Sequence, residues 1–119
     1  MNRSLALLGM AKKAGRLAVG SEASATAARR GDAKLIITAS DASEASVRRA
    51  KSNAEASGVK HIAVPFTMFE LGSTAGRGSP GTIAFLDKGL ADGFSKRLKE
   101  TAEAEKIAAA NRAKESDAL

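Results

Sequence analysis

Short apolar runs and helix-like segments alternate along this 119-residue chain. Four runs rich in Val, Ile, Leu and Ala predict β-strands because they are brief and bounded by turn-forming residues. The predicted strands are residues 16–19, 33–39, 59–64 and 82–86. The second of them, AKLIITA, is continuously apolar, which is typical of a central strand buried on both faces.

Helix start and stop patterns lie between these strands. Ser4 and two capping boxes, Asp41–Glu44 and Thr67–Glu70, predict helix starts, while Gly31 and Gly58 predict helix ends. The predicted helices are residues 4–14, 22–30, 41–57, 68–75, and a last one from about 90. In the first of them Leu5, Leu8, Ala11 and Ala14 are expected to face inward. This alternation predicts an α/β domain, with helices on both faces of a mixed or mostly parallel sheet.

The length predicts one domain, which we expect to span residues 1–99. Its last helix has Leu90, Phe94 and Leu98 on one face because they are spaced by four residues. Beyond Glu100 the composition is rich in Ala, Glu and Lys and lacks large apolar anchors apart from Ile107. We therefore expect residues 100–119 to form a helical or frayed extension.

Positive charge is concentrated in the first third of the chain. The protein has 19 Lys or Arg and 13 Asp or Glu, a net charge of +6, and residues 1–40 hold seven of these cations against two anions. A folded basic surface favours a polyanionic partner such as nucleic acid.

Composition argues against several other classes of protein. The absence of cysteine excludes disulfides and cysteine-ligated metals. No apolar run is long enough for a signal peptide or a membrane span. His61, the only histidine, lies within a predicted strand, where a structural or exposed role is expected. We therefore expect a cytoplasmic, non-enzymatic protein with no catalytic residues, no metal, no cofactor and no membrane partner.

The stretch GRGSPG, residues 76–81, has the G-x-G-x-x-G pattern of dinucleotide-binding loops. That pattern binds pyrophosphate only where it follows a strand and opens a helix. Here it follows a predicted helix and precedes a predicted strand. Pro80 also removes one N–H donor, and no P-loop lysine follows. The order of elements therefore argues against a nucleotide-binding enzyme.

The segment GRLAVGSEASATAARRGDAKLIITASDAS resembles the ribosomal L7Ae/L30e superfamily of kink-turn RNA-binding proteins. LLGMAKKAGRL before it and DKGLA after the last strand are similar to the small bacterial YlxQ-type members. The resemblance covers residues 4–98 and implies a three-layer α-β-α sandwich with a four-stranded mixed sheet. It also implies a monomer that binds structured RNA, ribosomal or kink-turn-like, and associates with the ribosome.

The resemblance implies an RNA site made of two regions at one end of the sheet. One is the start of the second helix with the loop before it, where free N–H groups and a partial positive charge suit a phosphate. The other is the loop before the last strand. The candidate RNA-binding residues are Arg16, Gly20, Ser21, Glu22, Ala23, Thr26 and Arg30 in the first region, and Arg77, Gly78, Ser79, Pro80 and Gly81 in the second. Arg29 is expected to be a solvated surface charge.

The base-reading motif of the archaeal relatives, Gly-x-Asn-Glu-x-x-Lys, is only partly matched. Gly20 is kept, but Glu22, Ala23 and Thr26 stand where those relatives have Asn, Glu and Lys. These changes weaken base recognition while they leave phosphate contacts largely in place. The alternative hypothesis is a protein-interaction module on the same fold that has lost its affinity for RNA.

Overall fold

Helices and strands alternate along the chain as the sequence predicts. The computed structural model describes residues 3–76 and 78–117, without the side chains of 104–106 and 112–117. The helices are α1 (Arg3–Lys13), α2 (Ser21–Arg29), α3 (Glu44–Ser57), α4 (Met68–Ala75) and α5 (Lys88–Asp117). The strands are β1 (Leu17–Val19), β2 (Leu35–Thr38), β3 (Lys60–Ala63) and β4 (Thr82–Phe85).

The four strands form one mixed sheet in the order β1-β4-β2-β3. Strand β4 is antiparallel to both β1 and β2, and β2 is parallel to β3, so β1, β2 and β3 all run in the same direction. These three strands therefore end at one edge of the sheet, where β4 begins. We call it the loop edge and define it by Val19, Thr38, Ala63 and Thr82.

Two hydrophobic clusters, one on each face, make the sheet the middle of three layers. The larger cluster packs α1, α4 and α5 against the sheet and includes Leu8, Leu71 and Phe94. There the rings of Phe85 and Phe94 lie 5.0 Å apart. The smaller cluster lies under α2 and α3 and consists mostly of alanines. The predicted α-β-α sandwich is confirmed.

The second predicted capping box, Thr67–Glu70, is confirmed. The Thr67 hydroxyl accepts a hydrogen bond from the Glu70 N–H at 3.1 Å, and the Glu70 carboxylate accepts one from the Thr67 N–H at 3.0 Å. The predicted end of α3 is also confirmed, because Gly58 adopts a left-handed conformation with φ of 71°.

The predicted capping box at Asp41–Glu44 is wrong. Ser43 caps α3, and its hydroxyl accepts a hydrogen bond from the Ser46 N–H at 3.1 Å. Asp41 instead accepts a hydrogen bond from the N–H of Met68, the first residue of α4, at 2.8 Å. The carboxylate thus stabilises the N-terminus of a helix 27 residues away in the sequence.

Two expectations for α1 are also wrong. Ser4 does not cap the helix, because α1 already includes Arg3 and the Ser4 side chain is buried. Ala14 does not face inward, because α1 ends at Lys13 and the chain turns at Gly15, where φ is 69°. The turn leaves Ala14 exposed to solvent.

Helix α5 continues without interruption across the predicted domain boundary after residue 99. Its first turn is ordered by Asp87, whose carboxylate accepts a hydrogen bond from the Leu90 N–H at 2.9 Å. Leu90, Phe94 and Leu98 pack against the larger cluster, as their spacing predicts. Among the described residues, no helix combines the length and apolar character needed to cross a membrane.

Candidate nucleic-acid interface

Backbone hydrogen bonds hold the connections at the loop edge together. They run from the N–H of Gly20 to the carbonyl of Thr82 at 2.8 Å, from Ala39 to Gly81 at 2.9 Å, and from Ser40 to Phe66 at 2.8 Å. The start of α2 and the end of the loop before β4 are therefore adjacent. The structure brings together the two regions that the resemblance implies.

The first turn of α2 has no side-chain cap, unlike those of α3 and α4. Its N-cap is Gly20, with φ of 105°, a backbone conformation that favours glycine. Ser21 is half-buried, while Glu22 and Ala23 are exposed. The N-terminus of α2 thus keeps backbone N–H groups that a phosphate could accept hydrogen bonds from.

The loop before β4 is seated directly on α4. A Cβ atom built on Gly72 would lie 1.7 Å from the carbonyl oxygen of Gly78 and 3.2 Å from Cδ of Pro80. Pro80 is buried, while Gly78 and Ser79 are exposed. Among the described candidate residues of this loop, Gly78, Ser79 and the half-buried Gly81 are therefore accessible to a ligand. Arg77 lies outside the described residues.

Arg16 and Arg30 are not brought to the loop edge. The carbonyl of Arg16 accepts a hydrogen bond from Leu86 N–H at 2.9 Å, which places Arg16 where β1 begins. At about 3.3 Å per residue it lies roughly 13 Å from Gly20. Arg30 caps the C-terminus of α2, about 15 Å along the helix from Gly20. Both arginines therefore belong to the opposite end of the sheet.

A polar groove between α2 and α3 runs along α2 from Glu22 in its first turn to Arg29, its last residue. It has a volume of about 330 Å³ and is lined by Glu22, Ala25, Thr26, Arg29 and Arg49. A guanidinium nitrogen of Arg29 donates a hydrogen bond to the Thr26 hydroxyl at 3.2 Å. Arg29 therefore places positive charge beside the position where the archaeal motif has a lysine.

Sequence reasoning missed both arginines of this groove. Arg29 is exposed, as its interpretation as a solvated surface charge predicts, but it also lies beside Thr26, because a spacing of three residues puts the two on one face of α2. Arg49 has no comparable sequence pattern, because its place in the groove depends on how α3 packs against α2.

Phe69 is a further residue that the sequence analysis did not select. Its side chain is 73% exposed, although it is one of only four phenylalanines in the chain. It lies in the first turn of α4, three residues before Gly72, the position that the loop contacts. An exposed aromatic ring in this place can stack on a nucleobase.

Carboxylates also surround the loop edge. Glu22, Glu44 and Glu70 lie in the first turns of α2, α3 and α4, where they interact favourably with the helix dipoles, and Asp41 accepts the hydrogen bond from Met68 at the start of α4. These four charges oppose the approach of a phosphate. No three His, Cys, Asp or Glu side chains in the described part of the chain are placed to share a metal ion.

His61 has a structural role in the sheet. Its Nε2 atom is 2.8 Å from the hydroxyl of the buried Thr38 on the neighbouring strand. Burial and, to a smaller extent, the nearby charge of Lys51 lower the pKa of the imidazole from its ordinary value of 6.5. The interpretation of His61 as a structural residue agrees with this hydrogen bond.

Residues 3–92 match the ribosomal protein L7Ae/L30e/S12e/Gadd45 family. The chain belongs to this family. The match covers β1 to β4 and all the helices up to the start of α5, and it confirms the resemblance stated from the sequence. Comparison with curated protein sequences gives no significant match.

Solved structures share the fold of this family member. A protein of unknown function from Bacillus halodurans superposes with a TM-score of 0.77 at 23% identity, over 83% of this chain and 99% of that one. A 15.5 kD RNA-binding protein from Giardia lamblia superposes with a TM-score of 0.64 at 17% identity, over 81% of this chain and 82% of that one.

Proposed function

We propose that this protein is a non-enzymatic RNA-binding protein that contacts structured RNA at the loop edge. The observation that carries the proposal is the position of the uncapped start of α2 beside the loop before β4, at the mouth of a groove with two arginines. Membership of a ribosomal protein family and the likeness to an RNA-binding protein from Giardia lamblia support it.

Each part of this surface has a distinct role in the proposed complex. The free N–H groups in the first turn of α2, at Ser21 and Glu22, bind a phosphate, and Arg29 and Arg49 neutralise the neighbouring phosphates along the groove. Phe69 stacks on an unpaired base. The exposed backbone of Gly78 and Ser79 approaches the RNA closely because neither residue has a bulky side chain.

A bent RNA with an internal loop, of the kink-turn kind, fits this surface better than a plain duplex. Such an RNA offers both unpaired bases and two backbones that converge at the bend. Glu22 accepts hydrogen bonds from base amino groups, as the aligned Asn of the archaeal motif could, but it contributes a negative charge. We therefore propose binding with reduced base specificity, by a monomer in the cytoplasm, to ribosomal or similar structured RNA.

The test is a gel-shift titration with a kink-turn RNA, a plain duplex and a single strand, each at several salt concentrations. Affinity should fall with salt by about 0.7 to 0.9 log units per log unit for each phosphate neutralised. The double variant Arg29→Ala/Arg49→Ala should lower this slope by roughly 1 to 2 units. Its control is Lys51→Ala/Arg97→Ala, which removes the same charge from other surfaces. A protein that binds none of these RNAs at low salt would refute the proposal.

The carboxylates of the loop edge favour one alternative, a protein-interaction module on the same fold. Glu22, Asp41, Glu44 and Glu70 give the loop edge negative charge, and Phe69 adds an exposed aromatic ring, a residue type that is enriched at protein interfaces. In that case RNA binding is absent, and replacing Phe69 weakens the capture of a basic protein partner.

A further inference from the structure

The edge of the sheet opposite the loop edge carries basic residues that the proposed RNA interface does not use. We call it the start edge, because β1, β2 and β3 begin there and β4 ends. Arg16 lies opposite Leu86, just before β1. Lys34, just before β2, donates its N–H to the carbonyl of Phe85 at 2.7 Å. Lys60, the first residue of β3, pairs with Leu35. A cation therefore stands at the beginning of each parallel strand.

Two lysines of α5 complete a cleft at this edge. Lys34, Lys60, Lys96 and Lys99 line a volume of about 320 Å³ together with Leu35, Ala91, Asp92 and Ser95. We call this the lysine cleft. Its lysines come from three separate parts of the chain: Lys34 precedes β2, Lys60 begins β3, and Lys96 and Lys99 are one turn apart on α5. The fold therefore assembles the cluster from distant parts of the chain.

The charge of the lysine cleft is not neutralised within the described part of the protein. Asp92 is the one carboxylate among the lining residues, and it is already paired with Lys88 at 2.9 Å. Apart from a long hydrogen bond from Lys34 to the Gly31 carbonyl, at 3.5 Å, no described side chain pairs with the four lysines. Four cations and one anion leave the cleft a charge of +3.

We propose that the lysine cleft binds the sugar-phosphate backbone of a second segment of the RNA that contacts the loop edge. This inference rests on the proposed function and adds a second contact surface to it. Lysine ammonium groups are compact charges that bind phosphate oxygens without a fixed geometry. The cleft volume accommodates a phosphate with its sugar, and the start edge extends the positive surface by about 14 Å, three strand spacings, from Lys60 to Arg16.

The distribution of charge explains why two surfaces are needed. At the loop edge, four carboxylates weaken the attraction for phosphate, so contacts there orient the RNA more than they hold it. The lysine cleft has the opposite balance, and it supplies affinity that does not depend on base sequence. The two edges are separated by one strand length, about 13 Å, so one folded RNA can reach both.

The experiment compares the full chain with the double variant Lys60→Gln/Lys96→Gln, using an RNA of about 40 nucleotides with an internal loop between two stems. We expect the variant to bind roughly 10-fold more weakly at low salt and to lose about 1.5 units of the salt slope. Lys51→Gln/Arg97→Gln, with the same change in net charge elsewhere, should bind within about 2-fold of the wild type. Circular dichroism verifies that both variants fold.

Two outcomes would overturn the inference. If Lys60→Gln/Lys96→Gln binds like the wild type while Arg29→Ala/Arg49→Ala loses affinity, the lysine cleft is not an RNA contact and the proposed function stands. If polyglutamate of matched charge displaces the RNA as effectively as unlabelled RNA does, the cleft is a site for acidic peptide. Absence of RNA binding by the wild-type chain would instead remove the proposed function itself, and the inference with it.

Discussion

Replacing Gly72 with alanine should displace the loop before β4 from its contact with α4. The new methyl carbon would lie 1.7 Å from the Gly78 carbonyl oxygen. Carbon and oxygen atoms normally approach no closer than about 3.3 Å, so the loop or the helix must move by roughly 1.6 Å. Overpacking of this kind costs about 1–3 kcal/mol.

A matched substitution separates this cost from helix propensity. Alanine is about 1 kcal/mol better than glycine within a helix, and this gain applies at Gly72 and at Gly93 of α5 alike. A Cβ on Gly93 would meet only Cδ1 of Leu7, at 3.6 Å, which is an ordinary contact. The difference between the two variants in free energy of unfolding therefore isolates the clash, about 1–3 kcal/mol.

Urea unfolding of the wild type, Gly72→Ala and Gly93→Ala measures this difference. Gly93→Ala should be slightly more stable than the wild type, and Gly72→Ala less stable or unchanged. Gly72→Ala should also bind RNA more weakly, because the exposed backbone of Gly78 and Ser79 is displaced. Equal stabilisation by the two substitutions would show that the loop is not seated on Gly72 and would refute the reasoning.

Three further predictions concern separate parts of the chain. Burial, and to a smaller extent the charge of Lys51, lower the pKa of His61 below 6.5. The stabilisation of the fold by neutral His61 should therefore be complete above about pH 6.5 and be lost as the pH falls through the folded-state pKa. His61→Gln should flatten this pH dependence of the free energy of unfolding, measured in urea. Phe69→Ala should leave the free energy of unfolding within about 0.5 kcal/mol of the wild type, because the ring is exposed. It should weaken binding to an RNA with unpaired bases by about 1–3 kcal/mol per stacked base, with a plain duplex as the comparison. Deletion of residues 100–119 should change the free energy of unfolding by less than about 1 kcal/mol, because Leu98 is the last core anchor among the described side chains of α5. A larger loss of unfolding free energy would show that the extension packs on the domain.

Local patterns were sufficient to predict the order of elements and most of their limits. The apolar run of β2 and the capping box of α4 are sequence-local features, and the structure uses both as expected. The box at Asp41 failed because its carboxylate found a better partner across space, at the start of α4. A sequence of cap-forming residues cannot show which of two nearby helix starts will receive the carboxylate.

The two regions of the candidate site could be predicted, but its charges could not. The resemblance selected the start of α2 and the loop before β4, and backbone hydrogen bonds bring them together. Arg16 was predicted from its positive charge near Gly20 in sequence, and Arg30 because the resemblance has a basic residue before the glycine that ends the second helix. One strand and one helix carry them to the opposite edge. Arg49 and the lysine cleft depend on packing between elements, which no single segment of the sequence encodes.

The hydrogen bonds that join the loop-edge connections have a consequence for the thermodynamics of binding. Gly20, Ala39, Ser40 and Met68 each donate a backbone N–H to a group in another segment, so the connections are ordered before any ligand arrives. An interface prepared in this way loses little conformational entropy on association. We therefore expect the entropy lost on RNA binding to come mostly from ordering of the RNA. Isothermal titration calorimetry should show only a small contribution to the binding entropy from ordering of the protein. The amide proton of Met68 should exchange slowly with solvent in both free and bound protein.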